Sequence, residues 1–159
     1  MYIYIKLAGT VLACLLIMIA ACDYGMSSSD APLPPKFADP KERRAWVMER
    51  YLPWMERYGW TYYNISRSDG RFLHELILKT NRQCALEMGS ANGYSAIWMG
   101  LALEKTKGKL ITIELEQDKA DLCKSNLKNA GLDGVVTCLQ GDALRVTPGL
   151  NQRFDFLFV

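Results

Sequence analysis

Glu87, Glu114 and Asp142 each stand at or near the end of an apolar run. Two glycines follow the first of them, in Leu86-Glu87-Met88-Gly89-Ser90-Ala91-Asn92-Gly93-Tyr94-Ser95-Ala96. Gly89 permits a sharp turn and lets a ligand approach the backbone closely. Gly93 lets the helix that begins at Tyr94 start tight against the preceding strand, and the free N–H groups there favour an anion. Ser95 adds a hydroxyl. The dinucleotide fingerprint G-x-G-x-x-G packs a diphosphate against such a helix. Here the spacing is Glu87-x-Gly89-x-x-x-Gly93, without the close glycine pair and with a carboxylate beside the turn. That acid would repel a diphosphate but suits an ammonium group. The pattern therefore points to a nucleoside that carries an amino acid rather than to a nicotinamide dinucleotide.

The other two acids extend that reading. Glu114 closes the second apolar run, Lys109-Leu110-Ile111-Thr112-Ile113-Glu114. A carboxylate at the end of a second strand can accept from both ribose hydroxyls. Asp142, in Gln140-Gly141-Asp142-Ala143-Leu144, can accept from an adenine amino group, with the backbone near Ala143 reading the ring edge. Any one such acid could be a helix cap or a solvated loop residue; three at successive strand ends are a constellation.

The elements that must position these residues can be read from the pattern. Asp39, Pro40 and Glu42 form a helix start with a capping box, and the helix runs to about Tyr51, where Pro53 should break or kink it. Trp46, Trp54, Tyr58, Trp60, Tyr62 and Tyr63 form an aromatic cluster, read as packing, with a cover over a substrate pocket as the alternative. Ser66 and Asp69 open a second helix to about Lys79, with Phe72, Leu73, Leu76 and Ile77 as its apolar face. Strands are expected at 84–88, 109–114, 135–140 and 154–159, with helices at 94–105 and 117–129, stopped near Gly108 and Gly131. Alternation of this kind predicts an α/β fold, a Rossmann-like parallel sheet with helices on both faces.

The chain has 159 residues and a formal charge of +2, with 50% hydrophobic and 23% charged residues. That balance, without a Lys/Arg block, argues against a nucleic-acid partner. Cys84, Cys123 and Cys138 show no CxxC spacing and are read as small buried residues, not as a zinc or disulfide framework. The lone histidine, His74, is read as a packed or surface residue. The first 22 residues look different: Lys6 precedes an uncharged run from Leu7 to Cys22 that is shorter than the about 20 residues of a spanning helix. It fits a signal peptide or anchor. Its end, Ile19-Ala20-Ala21-Cys22, resembles a bacterial lipobox, which implies lipid on Cys22 and a domain on the outer side of the inner membrane; the alternative is a cytoplasmic protein. Residues 23–38 read as a flexible linker, and 39–159 as the folded domain.

The combination over 64–159 resembles the class I S-adenosylmethionine (SAM)-dependent methyltransferases, and more narrowly the O-methyltransferases of the catechol and caffeoyl-CoA type with their bacterial relatives. "NISRSDGRFLHELI" resembles the segment before motif I, "LEMGSANGYSAIWMGLAL" motif I, "ITIELE" motif II and "GDAL" the adenine turn. The resemblance implies cofactor contacts at Ile65, Glu87, Gly89, Gly93, Tyr94, Ser95, Glu114, Asp142 and Ala143. It implies methyl transfer to a hydroxyl of a small molecule, and it allows a homodimer. In that family a metal-binding aspartate directly follows the strand resembling "FDFLFV", and an Asp and an Asn come later. This sequence ends at Val159, so it is expected to be the N-terminal part of such a domain, with a divalent metal such as Mg only in a longer protein. No catalytic or metal-binding residue is assigned. The rival readings are an NAD(P)-binding oxidoreductase and a non-catalytic, membrane-tethered binding protein.

Overall fold

The structure is a computed structural model that describes residues 31–58 and 62–159. The leader, Cys22 and Trp60 lie outside the described residues. Residues 31–159 form one unit. Helix α1 (Pro40–Trp46) starts at Asp39, whose Oδ1 accepts from the N–H groups of Lys41 and Glu42 at 2.6 and 2.9 Å. Glu42 reaches back one residue further than a capping box requires, to Ala38 N–H at 3.1 Å.

Of the expected break or kink at Pro53, the break does not occur, and the helix is instead locally rewound just before the proline. A π-helical turn, Val47–Tyr51, leads into α2 (Leu52–Tyr58), which carries Pro53 in its first turn. Leu52 N–H donates to Val47 O, five residues back. The wider turn accommodates a ring that would otherwise crowd the carbonyl four residues earlier, and the first turn of a helix tolerates a missing N–H. Of the aromatic cluster, Trp46 and Trp54 stack on either face of Tyr51, with centroids 5.4 and 5.6 Å away. Tyr51, which stands between them in sequence but outside that cluster, is buried, while Tyr63 is exposed, so the packing reading holds for Trp46 and Trp54 and not for Tyr63.

Helix α3 (Arg67–Thr80) is capped by Ser66, which accepts from Asp69 N–H at 3.1 Å. Asn81, in the left-handed conformation, ends it. Then come β1 (Cys84–Met88), α4 (Tyr94–Thr106), β2 (Lys109–Glu114), α5 (Gln117–Asn129), β3 (Val136–Gln140), the one-turn α6 (Ala143–Val146), a 3-10 turn (Thr147–Gly149) and β4 (Phe156–Phe158). The four strands are all parallel, in the order β3-β2-β1-β4. Strand β4 is shorter than the expected 154–159. Asp155 instead uses its carboxylate at the foot of β1, accepting from the N–H groups of Gln83 and Cys84 at 2.9 Å each.

The parallel sheet packs with its helices around a buried core, the Rossmann-like arrangement expected. The buried core contains Ala85, Leu110, Val136 and Cys138 of the sheet, together with residues of α2 to α5. On the opposite face Leu86 and Ile113 are buried too, while Thr137 and Leu157 are exposed and Ile111 and Leu139 half-buried. Crossovers that lay β1, β2 and β3 side by side in one direction place α4 and α5 on the same side, because such crossovers share one hand. Cys123 and Cys138 are buried as expected, but Cys84 is only half-buried. His74 is buried edge-on to Trp98, with centroids 6.3 Å apart, and burial holds its pKa below the usual value. Among the described residues no helix is long and apolar enough to cross a membrane.

Candidate functional site

The chain leaves β1, moves outward through β2 and β3, and then returns to the other side of β1 as β4. The carboxyl ends of β1 and β4 therefore border a topological switch point, where open α/β sheets bind ligands. The turn 89–93 leaves β1 at that place. Gly89 has φ +92°, and a Cβ built on it would meet nothing within 4 Å. Its backbone is thus both left-handed and open to approach. Gly93 has φ +85°, but a Cβ there would lie 2.9 Å from Cys123 Sγ and 3.4 Å from Cys123 Cα. The two glycines serve different purposes: the first faces open space, and the second faces α5.

Glu114 anchors this turn from β2. Its Oε2 accepts from Ala91 N–H at 2.7 Å and its Oε1 from Glu116 N–H at 3.1 Å. Ala91 holds φ +45°, a conformation that costs an alanine about 1–2 kcal/mol. A charge-assisted bond to its N–H is what holds it there. A carboxylate has about four lone-pair sites, so each oxygen retains capacity for one more donor.

Glu87 sits differently from the arrangement the residue order suggests. It is fully buried, and each of its oxygens accepts from a hydroxyl, one from Ser95 and the other from Thr112 at 2.6 Å. The Ser95 hydrogen is committed to Glu87. Burial pushes the Glu87 carboxyl up to about 7, against the lowering effect of the two hydroxyls. A carboxyl group raised on folding favours its neutral form in the native state. Stability should therefore fall as pH rises from about 4.5 to about 7 and then level off, by up to about 3 kcal/mol. Urea unfolding of wild type and Glu87→Gln at pH 5 and pH 8 checks this: the glutamine variant should gain relative to wild type at pH 8 only. An equal difference at both values would refute it.

The remaining assigned residues fall around the same edge. Tyr94 is buried, and its hydroxyl donates to Glu56 of α2 at 2.6 Å. Asp142 caps α6, accepting from Leu144 N–H at 2.9 Å, and so places Ala143 at a helix start. Gly141 N–H donates to Glu114 O at 2.8 Å, which ties the third turn to the second. Ile65 lies half-buried in the segment that enters α3 and packs against the core. Leu115 and Leu144 escaped the sequence reading. Each is next to an assigned residue and strongly exposed, at 65% and 82%. An apolar residue left exposed beside this edge of the sheet is a signal that exposure reveals and a hydropathy pattern does not. Among the described residues no group of three or more His, Cys, Asp or Glu side chains could hold a metal ion.

Comparison with known proteins agrees with this architecture. A family model described as O-methyltransferase matches residues 45–159. Catechol O-methyltransferase of Niastella koreensis is 35% identical over 100 residues, covering 60% of this chain and 45% of that protein. Catechol O-methyltransferase of Mycobacterium tuberculosis is 30% identical over 96 residues, covering 60% and 43%. The chain thus spans about half the length of the curated relatives it matches. Among solved structures, O-methyltransferase TomG of Streptomyces achromogenes in complex with SAM superposes with a TM-score of 0.62 at 28% identity, covering 75% of this chain and 59% of that one. The Bacillus cereus O-methyltransferase in complex with S-adenosylhomocysteine (SAH) gives 0.57 at 28%, covering 77% and 54%. With the matched region running from within α1 to the last residue and enclosing the whole glycine turn and acid edge, the chain belongs to the O-methyltransferase family.

Proposed function

We propose that residues 39–159 form the cofactor-binding part of a SAM-dependent O-methyltransferase acting on a small hydroxyl-bearing molecule. The observation that carries this reading is the open, left-handed Gly89 beside a buried Glu114 carboxylate that still has acceptor capacity. Glu114 would take the ribose hydroxyls, and Asp142 with the Ala143 N–H the adenine edge. The backbone around Ile65 and Gly89 would meet the methionine amino group. The start of α4 at Gly93, Tyr94 and Ser95 would meet its carboxylate; the Gly93 and Tyr94 N–H groups already donate to Ser90 O and Asn92 Oδ1, so the attraction there is that of the positive end of the helix. Glu87 then acts from behind, fixing the Ser95 and Thr112 hydroxyls, and needs no direct contact with the cofactor. SAM, when bound, supplies a methyl group on a sulfonium. The hydroxyl that receives it must lose its proton, and no residue in this chain is assigned that role.

Family membership and the absent glycine pair weigh against the NAD(P)-dependent oxidoreductase. Calorimetric titration with SAH tests the proposal: saturable binding that NADH does not displace supports it, and no binding by the folded chain refutes it. A homodimer remains part of the proposal on the resemblance alone.

The leader carries a separate proposal, lipidation at Cys22, on the strength of Ile19-Ala20-Ala21-Cys22 following an uncharged run. Bacterial cells expressing the full chain should incorporate labelled fatty acid into it, and Cys22→Ser should abolish the label. An unlabelled wild-type chain would dispose of the idea and favour the cytoplasmic alternative.

A further inference from the structure

The turn 89–93 is held from two sides. Glu114 holds the N–H of Ala91 from the ligand side. From behind, Asn126 of α5 donates through Nδ2 to Asn92 O at 2.8 Å. Asn92 is completely buried, and its own Oδ1 accepts from Tyr94 N–H at 3.2 Å, at the start of α4. The carbonyl of Asn92 can only accept, so Asn126 must turn its NH2 towards it. Its Oδ1 then needs a donor, and the Tyr51 hydroxyl supplies one at 2.9 Å. Tyr51 in turn accepts from Asn129 Nδ2 at 3.1 Å. All three bonds run in one direction, an arrangement in which each bond strengthens the next.

The far end of this chain is equally constrained. Tyr51 is fully buried between the rings of Trp46 and Trp54. It is also the last residue of the π-helical turn, a conformation that recurs at functional sites. A relaxed turn would not need this grip. Here the turn contains Ala91 at φ +45° between two left-handed glycines, so it stays in place only while adjacent groups are held.

We propose that Tyr51 and Asn126 are positioning residues for the cofactor turn, and that through them the segment 47–58 and the cofactor site are linked. The inference rests on the reading of this turn as the SAM site. Linkage is reciprocal: if the segment sets cofactor affinity, the cofactor must tighten the segment.

The test uses SAH on the full chain and two variants, Tyr51→Phe and Asn126→Asp. Phenylalanine keeps the stacked ring and loses only the hydroxyl. Aspartate keeps the shape of asparagine, but its carboxylate cannot donate to Asn92 O. Calorimetry should show SAH affinity about tenfold weaker in each variant, and far-UV circular dichroism should show both folded. Hydrogen exchange supplies a readout that a purely structural role would not move. Saturating SAH should slow exchange of amides 47–57 several-fold in wild type and leave them unchanged in Tyr51→Phe, while protection of the turn itself persists. Affinities within twofold of wild type, or wild-type amides 47–57 indifferent to SAH, would overturn the inference alone. If Asn126→Asp does not fold, Tyr51→Phe decides by itself. A folded wild type that binds no SAH would overturn the cofactor reading, and this inference with it.

Discussion

Glu114→Ala is expected to weaken SAH binding by about 10²–10³-fold while leaving the chain folded. The alanine removes the carboxylate that the ribose hydroxyls would use, and each hydrogen bond to a charged group contributes about 1.5–3 kcal/mol. It also releases Ala91 N–H, which Glu114 holds at 2.7 Å, so the turn loses its restraint on the ligand side. Glu114→Gln separates the two effects. One amide oxygen still accepts, and an intermediate loss of about tenfold should follow. Calorimetry on the three proteins checks the order. Equal affinity in wild type and Glu114→Ala would remove Glu114 from the site and, with it, the main support for the cofactor reading.

The two turn glycines should respond to alanine in opposite ways. Gly93→Ala combines a left-handed backbone with a Cβ placed 2.9 Å from Cys123 Sγ and 3.4 Å from its Cα. Strain of about 1–2 kcal/mol from the conformation and about 1–3 kcal/mol from overpacking against α5 should together lower stability by about 2–5 kcal/mol. Gly89→Ala has the same conformational strain, but its Cβ enters open space. It should lose only about 1–2 kcal/mol of stability while placing a methyl group on the side from which a ligand approaches, so that binding suffers more than folding. Urea unfolding paired with SAH titration distinguishes the two. If Gly89→Ala were the less stable variant and Gly93→Ala the poorer binder, the orientation of the turn assigned above would be wrong.

Local pattern accounts for much of this molecule. Apolar runs of strand length closed by acids or glycine, and helices opened by Asp39 and Ser66, are features of neighbouring residues. Those neighbours alone determine the starts of α1, α3, α4 and α5 and the first three strands to within a residue. The motif residues around Gly89, Glu114 and Asp142 were legible for the same reason: each is a residue type at a fixed offset from a strand end. What only the tertiary structure decided lies between segments distant in the chain. Burial of Glu87 with Ser95 and Thr112, the grip of Asn126 on Asn92, and Tyr51 held between Trp46 and Trp54 all depend on which helix lands on which face. So does the place of Asp155 at the foot of β1. Pro53 shows the boundary most clearly. Its missing N–H and its ring favour a break, yet tertiary burial of Tyr51, Leu52 and Met55 holds the helix through a π turn instead. A propensity of a few kcal/mol read from one residue yields when several buried side chains on either side favour continuity.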